Sequence, residues 1–268
     1  MRSGAPLALA TVSALTVARM LRRRGSRAGV RPIVFLDLDE TLLRSLLLKG
    51  TKADLLASIE KRKKTYRNKT FTDNPQAGKM ATFGMERAGR QLAWAKRGIE
   101  VVFPDGDRYL VVTRPGIENE LRDLVDHADL CVLSAGAKDY VDLLLVQTGL
   151  RAMIPFAYSS RQNNDLSWAQ GRPWVLVDDL EFSTASTQIK LRQILGLNPM
   201  DDDVPVPDQY KQNVIKVDAF QDALPDAKPI TGLAGRVKRR LGVVAGSGGL
   251  ARSAQRLRGS PHGPGREA

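Results

Sequence analysis

Residues 33–45, IVFLDLDETLLRS, run four apolar residues into Asp37 and Asp39, with Thr41 two positions further on. A short apolar run bounded by polar residues is the mark of a strand buried on both faces. A fold that ends such a strand in Asp37 and Asp39 brings two carboxylates to one place. Two acids aimed the same way repel each other unless a cation or a protonation event uses them.

Three further apolar runs, 109–113, 130–134 and 174–177, have the same character, and helical patterns over 117–127 and 139–148 fall between them. Short strands alternating with helices predict an α/β fold built on a parallel sheet covered on both faces. Asp105-Gly106, between two β-rich runs, predicts an inserted β-hairpin. Residues 85–97 have a helix-friendly composition. Residues 49–77, charged and poor in large apolar side chains, read as an excursion over the surface.

In open α/β sheets, ligands bind beyond the carboxyl ends of the strands. The first run ends at Asp37, Asp39 and Thr41, the third at Ser134, and the fourth at Asp178 and Asp179. Four carboxylates and two hydroxyls from distant parts of the chain therefore meet at one sheet edge. An all-oxygen donor set selects a hard cation, and Mg²⁺ is the natural one. One aspartate can then attack an electrophile while its neighbour exchanges protons with the leaving group and water, which points to a phosphoryl group.

Other chemistries are excluded. The single cysteine, Cys131, lies in an apolar run and reads as a small core residue, and no disulfide framework or multi-cysteine zinc site can be built. His127 and His262 are too scattered for a histidine metal site. The formal charge of +12 is concentrated at the ends: seven arginines and no acid precede Asp37, and nine basic residues face Glu267 alone from Lys228 onward. The middle is slightly acidic, so it is no nucleic-acid platform.

The arginine-rich, acid-free residues 1–31 have the composition of an organelle targeting segment, mitochondrial in type, with plastid or nucleus as alternative destinations. The uncharged stretch 4–18 also allows a short anchor, although it falls short of the ~20 residues a spanning helix needs. Residues 32–242 form the expected α/β domain. Residues 243–268 read as a flexible basic tail rich in Gly and Ser, suited at most to weak contact with RNA or an anionic membrane.

The stretch DLDETLL resembles the first motif of the haloacid dehalogenase superfamily. More narrowly, it resembles the branch of the RNA polymerase II C-terminal-domain phosphatases, the FCP/SCP-like domain. VVTRPGIENELRDL, LCVLSAGAKDYVDLLL, NNDLSWAQGRPWVLVDD and NVIKVDAFQDALPD agree with that branch in order, and the likeness covers 32–241. It implies a Rossmann-like sheet and a phosphatase working through an aspartyl-phosphate, with phosphoserine or phosphothreonine of a protein as substrate. In those terms Asp37 is the nucleophile and Asp39 the general acid/base. Thr41 braces the loop and Ser134 holds the phosphate. Asp178 and Asp179 position Mg²⁺ together with Asp37 and the backbone carbonyl of Asp39.

The pattern breaks at one position. The family carries a lysine just before Asp-Leu-Ser, where this chain has Asn164. Arg161 or Lys138 would have to stand in; otherwise the site is impaired. The alternative function is then a protein-binding module for mitochondrial import or assembly, as in the related presequence-receptor subunit of the inner-membrane translocase.

Overall fold

The computed structural model describes residues 30–70, 74–220 and 230–243. The targeting segment expected over 1–31, apart from Val30 and Arg31, lies outside the described residues, as does the tail over 243–268 apart from Val243. Among the described residues, no helix is long and apolar enough to cross a membrane.

Five strands make the main sheet: β1 (Ile33–Leu36), β5 (Asp129–Ser134), β6 (Phe156–Ser159), β7 (Trp174–Asp178) and β8 (Val214–Lys216). Their order is β6-β5-β1-β7-β8 and every pairing is parallel. The α/β class read from the alternating runs is therefore the class observed. Leu36 pairs with Val132 on one side and Val177 on the other, so β1, β5 and β7 end at nearly the same level.

Alternation along these strands divides the core in two. Val34, Leu36, Leu130, Val132, Val175 and Val177 pack on one face. That face is covered by α3 (Ile117–Val125), α4 (Lys138–Gln147) and α6 (Leu233–Arg240). Ile33, Phe35, Cys131, Leu133 and Leu176 point the other way, onto Leu191 and Ile194 of α5 (Ala185–Ile194). Helices thus lie on both faces, which is why the strands read as continuous apolar runs.

A second sheet of three antiparallel strands, in the order β2-β4-β3, stands beside the first: β2 (Leu43–Leu47), β3 (Ile99–Val102) and β4 (Arg108–Thr113). The hairpin expected at Asp105-Gly106 is there, with Gly106 at φ 93°. Run 109–113, however, is the middle strand of this small sheet and no part of the parallel one. It looked like a parallel core strand because it too is covered on both faces. Val111 packs into the main core, while Leu110 and Val112 pack beneath a helical pair.

That pair is α1 (Lys52–Lys69) and α2 (Pro75–Arg97), inserted between β2 and β3. Residues 49–77 are thus largely helical. Thr51 and Asp54 form a reciprocal capping box at the start of α1, and Asn74 caps α2 with Pro75 in its first turn. Ile59, Ala88, Leu92 and Ala95 pack the base of the pair against Leu110, Val112 and Phe220.

Candidate active site

The loop after β1 turns within five residues. The N–H of Asp37 donates to the Val177 carbonyl at 2.9 Å, and the N–H groups of Leu42 and Leu43 both return to the Leu38 carbonyl. Glu40 takes the left-handed conformation at φ 61°, uncommon for a side chain of its kind, and tightens the turn between Asp39 and Thr41. Thr41, fully buried, donates from Oγ1 to Asp179 Oδ1 at 3.2 Å. Arg114 fastens the same loop from below: its Nη1 donates to the Thr41 carbonyl at 3.3 Å, and its N–H to the Leu42 carbonyl. The Thr-Arg-Pro-Gly stretch ends β4 and opens α3, with Gly116 as the N-cap at φ 81°.

Asp37, Asp178 and Asp179 offer oxygens that all lie within 4.8 Å of one another. Ser134 ends β5, the strand paired with β1. Its Oγ accepts from the Gly136 N–H at 3.1 Å, while the first residue of α4 is preceded by Ala137 with no side-chain cap. Asp178 also does a turn residue's work, since its Oδ1 accepts from the Leu180 N–H at 2.9 Å.

The cation in this cluster is one that motif reading did not find. Lys190, on α5 and 1% exposed, donates from Nζ to Asp37 Oδ1 at 2.6 Å and to Asp178 Oδ2 at 2.8 Å. Burial opposes its positive charge, but the two carboxylates outweigh that and raise its pKa, so the ammonium persists. The Asp37 carboxyl is pushed up to about 7, chiefly by burial, with Asp178 and Asp179 adding to the shift and Lys190 opposing it.

Neither stand-in expected from the sequence occupies that place. Arg161 is exposed and has no carboxylate partner among the described residues; only its backbone N–H is held, by Ser159 Oγ at 3.4 Å. Lys138 pairs with Asp142 one turn along its own helix. Asn164 itself is a structural tie, donating to the carbonyls of Ser159 and Gln162 and to Gln193 Oε1 at 2.7 Å. Gln193 lies three residues beyond Lys190, and the two share with Thr187 a buried polar stripe on α5. Asn164 therefore fixes its loop onto the helix that carries the lysine.

Asp39 stands apart from the metal-type cluster. Its Oδ1 accepts from Tyr140 Oη at 2.8 Å and from Ser45 Oγ at 3.0 Å, and the two hydroxyls also touch each other. Burial raises its pKa, while the hydroxyls pull it back toward the charged form. Neither Tyr140 nor Ser45 was marked as a site residue by the sequence.

The three clustered carboxylates fit a divalent ion on their own chemistry. They are oxygen-only donors, and one ammonium leaves them with surplus negative charge in a buried place, which a hard cation would offset.

No protein-family model matches the chain, and no curated protein does. Solved structures do. The fission yeast RNA polymerase II CTD phosphatase Fcp1 bound to beryllium fluoride is 13% identical, with TM-score 0.39, over 78% of this chain and 45% of that one. A second structure of Fcp1, described as an essential RNA polymerase II CTD phosphatase, is 14% identical with TM-score 0.41, over 85% and 51%. A haloacid dehalogenase-like family hydrolase from Xanthomonas campestris is 11% identical with TM-score 0.36, over 80% and 98%. The chain spans about half the length of the two Fcp1 structures.

Proposed function

We propose that this chain is a Mg²⁺-dependent phosphomonoesterase of the haloacid dehalogenase type, acting through an aspartyl-phosphate on Asp37. The observation that carries the reading is the Lys190 ammonium lying between Asp37 and Asp178 beside Asp179. A nucleophilic carboxylate, a cation for the phosphoryl oxygens and a metal-type acid pair are the parts phosphoryl transfer needs.

Asp37, Asp178, Asp179 and the backbone carbonyl of Asp39 would hold Mg²⁺. Bound there, the ion supplies the charge neutralisation that lets an anionic phosphate approach a carboxylate. Asp37 attacks phosphorus, the P–O bond to the ester oxygen breaks, and Asp39 gives its proton to the departing alkoxide. Lys190 steadies the phosphoryl oxygens and Ser134 Oγ adds a hydroxyl. A water then attacks the phosphorylated Asp37 and passes its proton to Asp39. Phosphate leaves, and both aspartates return to their starting states.

The substrate we infer is phosphoserine or phosphothreonine in a protein, on the likeness of the five motifs to the C-terminal-domain phosphatases. The binding-module alternative rests on the missing lysine at position 164 and on the arginine-rich N-terminus; Lys190 offers a buried cation in answer to the first. The test is hydrolysis of a phosphoserine peptide by the purified chain with Mg²⁺ and with EDTA. Metal-dependent release of phosphate is expected; a protein that releases none with Mg²⁺, Mn²⁺ or Co²⁺ overturns the reading.

A further inference from the structure

We propose that Tyr140 and Ser45 are positioning residues for Asp39, holding its Oδ1 so that the proton exchanged with leaving group and water is carried on Oδ2. The inference rests on the phosphatase reading and adds to it a means of steering the proton.

The argument starts from counting protons. Tyr140 Oη and Ser45 Oγ both contact Asp39 Oδ1 and each other, which makes three contacts for two hydroxyl protons. With Asp39 ionised, either both hydroxyls donate to Oδ1, or one donates to the other, which donates to Oδ1. In each case Oδ1 receives at least one hydrogen bond, and no protein donor reaches Oδ2 among the described residues. A neutral carboxyl can carry its proton on either oxygen, and the oxygen already accepting hydrogen bonds is the poorer site for it. A proton that arrives while these bonds to Oδ1 are kept is carried on Oδ2.

The two hydroxyls are themselves fixed. Ser45 sits in β2, paired with Val111 of β4. The Tyr140 ring stacks on Phe103 at 5.5 Å and meets Tyr109 edge-on at 6.0 Å. Phe103 and Tyr109 belong to the hairpin of the small sheet, so that sheet sets the geometry of Asp39 from two sides. Burial and the Asp39 carboxylate raise the Tyr140 pKa, so Tyr140 stays a neutral hydroxyl. The neutral Asp39 gives its Oδ2 proton to the alkoxide, which departs as the alcohol. The carboxylate so formed recovers a proton from the attacking water, while the hydroxyls of Tyr140 and Ser45 keep theirs throughout.

The experiment exploits leaving-group chemistry. kcat/KM reports the steps through the first irreversible one, here transfer to Asp37. An alkyl phosphate needs its leaving oxygen protonated in that step, whereas 4-nitrophenyl phosphate hardly does. For the full chain with Mg²⁺, Tyr140→Phe and Ser45→Ala should each lower kcat/KM for a phosphoserine peptide roughly tenfold or more, with kcat/KM for 4-nitrophenyl phosphate changed less than about threefold. Ser45→Thr, which keeps the hydroxyl, should restore the peptide activity. Parallel losses on both esters, or no loss on the peptide, overturn the positioning role. A wild-type protein inactive on both esters removes the phosphatase reading instead, and the role of Asp39 with it. Tyr140→Phe preserves the ring stack, and if it fails to fold, Ser45→Ala and Ser45→Thr decide the matter alone.

Discussion

Lys190 Nζ lies 2.6 Å from Asp37 Oδ1, although 153 positions separate the two residues in the chain. The contact is buried, so the partners depend on each other more than a surface ion pair would. The family that the sequence resembles carries a lysine in the loop before β7; in the proposed reading that role falls to Lys190, on the helix after the strand.

Removing that cation should stop the chemistry. Lys190→Met should lower turnover about a hundredfold or more, and the metal-free protein should lose about 3–5 kcal/mol of stability by leaving buried carboxylates unpaired. Because Asn164 is tied to Gln193, one turn from Lys190, adding Asn164→Lys to Lys190→Met should recover part of the activity. Arg161→Ala should leave turnover within about threefold of wild type, as expected of a surface change. Steady-state kinetics and urea melts measure all three, and an inactive Arg161→Ala would move the cationic role back to that loop.

Asp37→Asn should abolish turnover while leaving the metal-free protein at least as stable. The sign follows from the raised pKa of Asp37. Between its unfolded value and about 7, the folded state holds a proton that the unfolded chain has released. The stability this group contributes is therefore full at low pH and lost as pH rises through about 7. In EDTA, the wild-type Tm should fall more steeply than that of Asp37→Asn between about pH 5 and about pH 8. Parallel Tm profiles would mean that Asp37 is ionised throughout.

How far the sequence could be read follows from which forces are local. The parallel strands were legible because a strand buried on both faces must be apolar along its whole length, and the strand ends then named Asp37, Ser134, Asp178 and Asp179 without any contact being known. Run 109–113 belongs to the small sheet although it has the same apolar character, because the rule cannot tell one doubly covered sheet from another; only the helical pair over Leu110 and Val112 makes the difference. Lys190 left almost no trace. Thr187, Lys190 and Gln193 sit beside the apolar Leu191 and Ile194, and such a stripe on an amphipathic helix ordinarily faces water. Its burial is a tertiary fact. Tyr140 and Ser45 were hidden for a similar reason, each lying in a segment whose local pattern explains it without a site.

The targeting segment expected over residues 1–31 makes a separate prediction. A reporter fused to residues 1–31 should enter mitochondria, and replacing Arg22, Arg23 and Arg24 with glutamine should leave it in the cytosol, because the membrane potential acts on each positive charge. Fluorescence imaging with fractionation reads the outcome. Import that survives the three substitutions would remove charge as the signal.

Gly136 offers a way to disturb Asp39 without removing any hydroxyl. A Cβ at this position would stand 2.8 Å from Tyr140 Cδ1 and 3.2 Å from its Cε1, closer than carbon atoms approach without one moving. The ring is also stacked on Phe103, so it has to turn or the loop has to lift. Either movement takes Tyr140 Oη from Asp39 Oδ1, and lifting the loop also displaces Ser134, whose Oγ accepts from the Gly136 N–H. Gly136→Ala should therefore lose activity on the phosphoserine peptide at least as severely as Tyr140→Phe. Unlike Tyr140→Phe, it should also weaken the response to beryllofluoride, seen as a smaller rise in Tm with Mg²⁺ and beryllofluoride than the wild type shows. If Gly136→Ala keeps full peptide activity and the full thermal shift, the alanine methyl has found room, and the close packing of Tyr140 over this loop is not what holds the acid in place.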